Sequence, residues 1–161
     1  MQILVVEDNE VKFKAISKFL TNHYSCTIKH TANEEETYIA LDHSPWDLLL
    51  LDMTFHVSAG EGHESDKEQL AGVNILQYML AEKLKSPVIV VTRHTMFSGD
   101  DGFNISTIAE LDETMKLAFP NIYKGVIKYD VDDVAGAGWQ QEMTKKIKGI
   151  FGDASSEYID H

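Results

Sequence analysis

Short aliphatic runs and helical repeats of apolar residues alternate along this chain. The runs at residues 3–6, 48–51 and 88–91 show no alternation with polar residues, which is typical of strands buried on both faces of a parallel sheet. A half-buried strand at about residues 26–31 and a short strand at residues 125–128 bring the predicted number to five.

Helical patterns separate these strands. Apolar residues three and four positions apart predict five helices, at about residues 10–22, 34–42, 70–84, 108–119 and 131–150. Asn9 and Asn33 stand where a side chain can cap the first two helices, and Pro120 ends the fourth. In the last helix, Trp139 and Met143 are predicted to pack in the core. Strands that alternate with helices predict an α/β fold, a doubly wound parallel sheet of five strands with about five helices.

The length favours one domain. A chain of 161 residues with 43% hydrophobic residues can bury one substantial core. We expect this domain at residues 1–151 and a flexible tail at 152–161, because the last residues are mostly small and acidic. No apolar run reaches the ~18 residues of a membrane span, and no basic stretch precedes the first strand. A cytoplasmic protein without a membrane partner is therefore expected.

The charge balance argues against one class of partner. With 26 acidic residues against 14 lysines and arginines, the formal net charge is -12. This charge repels a phosphate backbone, and the sequence has no basic stripe, so direct nucleic-acid binding is not expected. The single cysteine, Cys26, cannot form an intrachain disulfide, which fits a reducing compartment.

Polar residues that could share a site follow four of the predicted strands. Glu7 and Asp8 end the first, Asp52 the third, Thr92 the fourth and Lys128 the fifth. The carboxyl ends of parallel strands meet at one edge, where open α/β sheets bind ligands. Clustered carboxylates call for a hard cation such as Mg²⁺, and an aspartate there could accept a phosphoryl group. Taken alone, Asp52 could equally begin an ordinary turn.

In this order and at these strand ends, the five residues resemble the receiver domain of bacterial response regulators, a flavodoxin-like fold. The resemblance covers residues 3–151 approximately. It implies Mg²⁺-dependent phosphorylation of Asp52, with direct metal binding by Asp8 and an indirect contact through water by Glu7. The backbone carbonyl of Thr54 would be a further metal ligand.

The resemblance also implies roles for the remaining two residues and for partners. Thr92 would bond a phosphoryl oxygen, and Lys128 would pair with the phosphoryl group. A histidine kinase or a histidine phosphotransfer protein would supply that group, and the surface around the fourth helix and fifth strand would signal to a downstream protein effector. The chain would not be an enzyme beyond its own phosphorylation and dephosphorylation. Phe13 would be a candidate contact for the histidine-bearing partner, unless it is partly buried. The oligomeric state stays open.

Several positions depart from the family pattern. Arg93 stands where a small residue usually follows the strand-four threonine, and Gly125 stands at the position of the aromatic switch, although Tyr123 is nearby. Tyr129 replaces a proline that follows the lysine in a cis bond. Because a cis bond before a residue other than proline costs about 2.5–4 kcal/mol, we expect a trans bond here. Arg93 and His94 are possible modulators of phosphate chemistry, and His94 could equally be an exposed loop residue.

Two loops at the predicted site are long, at residues 57–67 and 96–104, and long loops over a site are usually functional or disordered. Residues of metal-binding type occur just before and within the first loop, but a solvated acidic loop explains them as well: His56, Glu61, His63, Glu64 and Asp66.

Two other functions remain open at this stage. One is a pseudo-receiver, a protein-interaction module that signals without phosphorylation, because the switch aromatic is missing and Arg93 could obstruct the cleft. The other is a small α/β phosphohydrolase. The sequence disfavours the phosphohydrolase because Thr54, rather than a second acid, stands two residues after Asp52.

Overall fold

A computed structural model of the chain describes residues 1–56, 67–68, 71–93, 107–130 and 137–152. Its helices are α1 Glu10–His23, α2 Glu34–His43, α3 Ala71–Ala81, α4 Ile108–Ala118 and α5 Ala137–Phe151. Its strands are β1 Gln2–Val6, β2 Thr27–Thr31, β3 Leu48–Leu51, β4 Phe55–His56, β5 Lys67–Glu68, β6 Val88–Thr92 and β7 Tyr123–Lys128. The predicted loop at 96–104, all but the last residue of the loop at 57–67, and the tail beyond residue 152 lie outside the described residues.

Five of the strands form one parallel sheet in the order β2-β1-β3-β6-β7. The five helices connect and cover it, which confirms the predicted doubly wound fold. The strand order reverses at β1, which has β2 on one side and β3 on the other. Ligands of open α/β sheets bind beyond the carboxyl ends of the strands at such a reversal.

The sheet separates two apolar layers. Alternate strand residues such as Ile3 and Leu50 pack with α1 and α5, while their neighbours such as Leu4 and Leu49 pack with α2, α3 and α4. Both faces are covered, which explains the unbroken aliphatic runs. Met143 in α5 is fully buried, as predicted. Within the described ranges, no helix is long and apolar enough to cross a membrane.

Side chains cap the helices that begin beside the site. Asn9 Oδ1 accepts a hydrogen bond from the backbone N–H of Lys12 at 3.0 Å, and Asn33 Oδ1 accepts one from Glu36 at 2.9 Å. Both predicted N-caps are thereby confirmed. The cap of α4 was not predicted: Thr107 Oγ1 accepts from the N–H of Glu110 at 3.2 Å.

The region after β3 differs from the prediction. At the two ends of the predicted loop at 57–67, β4 and β5 form a short antiparallel pair that the sequence did not predict, in which Phe55 stands opposite Glu68. Helix α3 ends at Ala81 rather than near Leu84. The reason is local, because Lys83 adopts a left-handed conformation at φ 59° and the N–H of Leu84 donates back to Met79 O at 2.8 Å, as at many helix ends.

Strand β7 contains one extra residue relative to its neighbour β6. Tyr123 pairs with Val88 and Val126 pairs with Val90, so the single residue between Val88 and Val90 faces two residues of β7. One of the two is Gly125, whose φ of 129° is readily adopted only by glycine. Side chains alternate between the two sides of a strand. The extra residue therefore reverses the side of the sheet toward which each later residue of β7 points.

Candidate functional site

Asp52 follows β3 directly and lies at the carboxyl edge of the sheet. Its backbone N–H donates to Val6 O at 3.1 Å, which ties it to the end of β1, and its side chain is buried. Helix α3 packs closely behind it: the N–H of Gly72 donates to Met53 O at 2.9 Å. A Cβ on Gly72 would lie 2.7 Å from the carbonyl oxygen of Asp52, so only glycine allows this approach.

Two further carboxylates stand beside Asp52. Glu7 and Asp8 follow β1, and one carboxylate oxygen from each of the three acids lies within 4.8 Å of the other two. Glu7 is almost fully buried and Asp8 is half-buried. The structure thus brings together the three acids that the sequence predicts at this edge.

The cation in contact with these acids is Lys12, from the first turn of α1. Its Nζ lies 2.6 Å from Glu7 Oε2 and 3.4 Å from Asp52 Oδ2, and it donates a hydrogen bond to Val91 O at 2.7 Å. Only 1% of the residue is exposed. A buried ammonium is tolerated when its protons are all accepted in this way.

Lys128, predicted to join the acids, has an exposed side chain. Because of the bulge at Gly125, Ile127 and Tyr129 pack in the layer of α1 and α5, and Lys128 pairs with Thr92 and points to the same side of the sheet as Thr92. Tyr129 is buried, and its ring lies beneath Lys12 with Nζ 5.8 Å from the ring centroid. The bond before Tyr129 is trans, as expected.

The sequence pattern did not identify Lys12, because Val11 is the first apolar residue of this helix and suggests a buried face that begins there. Val11 is 74% exposed, whereas Lys12 lies four residues before the buried Ile16 and seven before the buried Phe19. That spacing is the helical signal for a shared face. A lysine at a position of this buried face could therefore have indicated a buried charge.

Burial shapes the electrostatics of Glu7. Loss of solvent and the neighbouring charge of Asp52 raise the pKa of Glu7 from 4.5 to about 7, although Lys12 opposes the shift. Glu7 Oε1 also accepts a hydrogen bond from the N–H of Asn9 at 3.0 Å. Both of its oxygens therefore already have protein partners.

Two buried oxygens at this edge have no hydrogen-bond partner among the described residues, Asp52 Oδ1 and Thr54 Oγ1. Unsatisfied buried oxygens are costly and mark places where an ion or ligand can bind. Together with the two neighbouring carboxylates of Glu7 and Asp8, the Asp52 carboxylate provides the oxygen donors that Mg²⁺ prefers, so these residues fit the predicted metal. Thr92, the remaining predicted member, is fully buried at the end of β6.

The predicted modulators are only partly described. Arg93 is exposed beside the edge. Burial raises the pKa of the Tyr129 hydroxyl, and the charge of Arg93 opposes that shift, so the guanidinium acts on Tyr129 through space. His94 lies outside the described residues.

Aromatic residues near the site are held in place. Phe13 is half-buried and stacks on His30, with ring centroids 3.7 Å apart and planes inclined by 6°. The Nε2 atom of His30 hydrogen-bonds to the backbone oxygen of Glu7 at 2.7 Å. The Tyr123 hydroxyl donates to Asp112 Oδ1 at 2.7 Å, which binds that ring to α4.

Receiver domains of signalling proteins are among the solved structures to which this chain is similar. The chain is similar to the N-terminal domain of a response regulator/sensory box/GGDEF protein from Carboxydothermus hydrogenoformans, with 18% identity, coverage of 98% of both chains and a TM-score of 0.57. It is also similar to the receiver domain of a sensor histidine kinase from Pseudomonas aeruginosa PAO1, at 13% identity, 94% and 98% coverage and a TM-score of 0.57. That structure holds a magnesium ion in its active-site cleft.

A DNA-binding response regulator of the LuxR family from Staphylococcus aureus shows the same likeness, with 14% identity, 92% and 97% coverage and a TM-score of 0.61. Neither a protein-family model nor a curated protein sequence matches this chain. The chain therefore has the receiver-domain fold over nearly its whole length, as the sequence predicts.

Proposed function

We propose that this chain is a phospho-accepting receiver domain of a two-component or phosphorelay system, with Asp52 as the acceptor. The observation that carries the proposal is the environment of Asp52: a buried carboxylate with one unpartnered oxygen, beside Glu7 and Asp8, in a sheet with receiver topology. A structural aspartate would normally have both oxygens satisfied.

The transfer itself needs little covalent chemistry from the protein. An oxygen of Asp52 forms a bond to phosphorus, and the bond from phosphorus to the donor's leaving group breaks, with the electron pair leaving on that group. The donor in a cell is a phosphohistidine of a histidine kinase or phosphotransfer protein. The chain is thus not an enzyme for other substrates in this proposal.

The remaining residues of the edge would hold the metal and orient the phosphoryl group. Asp8, Asp52 and the carbonyl of Thr54 would bind Mg²⁺, with Glu7 acting through water. Bound Mg²⁺ neutralises charge on the phosphoryl oxygens. Thr92 would bond one of these oxygens. Lys128, exposed at the end of β7, is the cation that the sequence predicts for the phosphoryl group.

Partners follow from the same proposal. Val11 is 74% exposed on α1 and offers an apolar contact for the histidine-bearing partner, whereas Phe13 is half-buried against His30. On α4, Leu117 is 85% exposed and would belong to the surface read by a protein effector. The net charge of -12 opposes direct nucleic-acid contact. Arg93 and His94 would tune the lifetime of the phosphorylated state.

A second candidate is a pseudo-receiver that binds partners without phosphorylation. Lys12 favours it, since this ammonium already forms ion pairs with Glu7 and Asp52 and could take the place of the metal. Gly125 at the position of the switch aromatic points the same way.

Beryllofluoride, a phosphoryl mimic, separates the two candidates. Backbone amide shifts of the wild type and of Asp52→Asn are compared with Mg²⁺ alone and with Mg²⁺ plus beryllofluoride. Changes at β6, α4 and β7 in the wild type, absent from Asp52→Asn, are the expected result. A wild-type spectrum that beryllofluoride leaves unaltered would favour the pseudo-receiver.

A further inference from the structure

A buried ammonium group at the carboxyl edge of the sheet has no role in the site predicted from the sequence. Lys12 is 1% exposed. Among the basic residues that the structure describes, it is Lys12 that forms ion pairs with both Glu7 and Asp52. Nothing in the packing of α1 demands a charge there, because the rest of the buried face of this helix is apolar. Burying an ammonium is costly, so its retention at this point needs a reason.

We propose that Lys12 is the cationic residue of the Asp52 site, in the place expected for Lys128, and that its ammonium binds the phosphoryl group transferred to Asp52. This inference rests on the proposed phospho-acceptor function. It assigns a residue of α1, rather than one at the end of β7, to the contact with the phosphoryl group.

The two oxygens of Asp52 differ in a way that suits this role. Nζ of Lys12 lies 3.4 Å from Oδ2, whereas Oδ1 has no partner among the described residues. Oδ1 is therefore the oxygen available for bonding to phosphorus. A phosphoryl group on Oδ1 extends its own oxygens past the neighbouring Oδ2, toward the ammonium that already stands there.

The charge change on transfer also calls for a cation. With acetyl phosphate as donor, the bond between Asp52 and phosphorus forms, the bond between phosphorus and acetate breaks, and acetate leaves with the electron pair. The single charge of the carboxylate becomes the nearly doubly charged phosphoryl group of the acyl phosphate. An ammonium already directed at this point needs no reorganisation to stabilise that charge.

Lys128 has different surroundings from Lys12. It is exposed at the end of β7, paired with Thr92, and among the described residues no ion pair joins it to Glu7, Asp8 or Asp52. The buried ring of Tyr129 lies beneath Lys12, with Nζ 5.8 Å from its centroid. An aromatic face beneath an ammonium adds a favourable cation–π contact.

One property separates this role from simple packing. The ammonium of Lys12 contacts two acids that would also serve a divalent cation, so it competes electrostatically with that cation. Removing the charge must then strengthen Mg²⁺ binding while it weakens phosphoryl transfer. A lysine that only fills space would not shift these two quantities in opposite directions.

The test compares Lys12→Met with Lys14→Met and Lys128→Met in the full chain. Lys14 is the matched control, since it is exposed on the same helix two residues away. The Mg²⁺ affinity is measured by isothermal titration, and the initial rate of Asp52 phosphorylation by acetyl phosphate is measured by intact mass at saturating Mg²⁺.

The expected result for Lys12→Met is a phosphorylation rate at least about tenfold lower and an Mg²⁺ affinity about threefold or more higher. Lys14→Met keeps both wild-type values, and Lys128→Met loses less rate than Lys12→Met. A Lys12→Met protein with the wild-type rate, or a larger loss in Lys128→Met, overturns the inference and leaves the phospho-acceptor function standing. If the wild type itself is not phosphorylated, the proposed function fails, and the inference with it.

A measurement on the wild type covers the case in which Lys12→Met does not fold. In protein labelled with ¹³C at lysine Cε, the Lys12 signal is recognised by its nuclear Overhauser contact with the Tyr129 ring. Beryllofluoride with Mg²⁺ should shift this signal more than any other lysine signal. An unmoved Lys12 signal together with a shifted Lys128 signal would contradict the inference.

Discussion

Nζ of Lys12 lies 2.6 Å from Oε2 of Glu7, and both side chains are almost completely buried. This pair joins the first turn of α1 to the end of β1, directly beside Asp52. Because Asp52 Oδ2 is the second carboxylate partner of Nζ, at 3.4 Å, one ammonium serves two acids. The stability of this edge and its chemistry therefore depend on the same three side chains.

Breaking this pair from one side should destabilise the fold. Lys12→Met leaves two buried carboxylates without their cation and should lower the free energy of unfolding by about 3–5 kcal/mol. Urea denaturation in the presence of EDTA measures this, with Lys14→Met expected within about 0.5 kcal/mol of wild type.

Adding Glu7→Gln to Lys12→Met should restore about 1 kcal/mol or more, since one of the unpaired charges is then removed. Additive effects of the two substitutions in this double-mutant cycle would mean that the two residues do not interact.

Stability should also depend on pH through Glu7. Its pKa is raised to about 7 in the folded protein from the ordinary 4.5, so folding favours the protonated carboxyl. This contribution is fully present below pH 4.5 and is lost as the pH rises through 7, and it amounts to about 3 kcal/mol at most. With EDTA present, the wild type should lose stability over this window relative to Glu7→Gln. Glu35→Gln, at an exposed site, should keep the wild-type pH profile, and parallel profiles for wild type and Glu7→Gln would refute the assignment.

Gly72 should tolerate no side chain. A Cβ there would lie 2.7 Å from Asp52 O and 2.8 Å from Met53 Cε, so Gly72→Ala should cost about 1–3 kcal/mol and displace the backbone at the acceptor. Gly149→Ala is the matched control, because it lies in α5 with nothing within 4 Å of the new Cβ. That change should be neutral or should stabilise by up to about 1 kcal/mol. Thermal denaturation compares the two, and equal effects would show that the close approach is unimportant.

Asp8 should contribute strongly to divalent-cation binding. Asp8→Asn removes one of the three clustered carboxylates and should weaken Mg²⁺ binding at least about tenfold, as measured by isothermal titration. Glu10→Gln removes a nearby charge from the exposed start of α1 and should change the affinity less than about twofold. A similar loss of Mg²⁺ affinity in both variants would mean that the overall negative charge of the region, rather than Asp8 as a ligand, attracts the metal.

The fold was predictable because aliphatic runs without alternation specify strands covered on both faces. Residues 48–51, for example, are all buried, and the acids that follow β1 and β3 meet for the same reason. The caps at Asn9 and Asn33 were also readable, since they depend on a local hydrogen bond three residues along the chain.

The cation was not predictable by the same reasoning. The side of the sheet toward which Lys128 points depends on the bulge beside Gly125. The position of that bulge is set by the pairing of β7 with β6 rather than by the residue pattern of β7 alone. The burial of Lys12 depends on the rotation of α1 about its axis, which packing of Ile16 and Phe19 sets. In both cases tertiary contacts decide the direction of a side chain. A shift of one residue in the strand register, or in the position at which the buried helix face begins, would place a different side chain at the site.

Phosphorylation of Asp52 can be measured directly by intact mass spectrometry. Wild type and Asp52→Asn are incubated with acetyl phosphate and Mg²⁺, and a third sample of wild type contains EDTA. We expect the mass increase of one phosphoryl group in wild type with Mg²⁺, and none in the other two samples. No increase in wild type, or an equal increase in Asp52→Asn, would contradict this expectation.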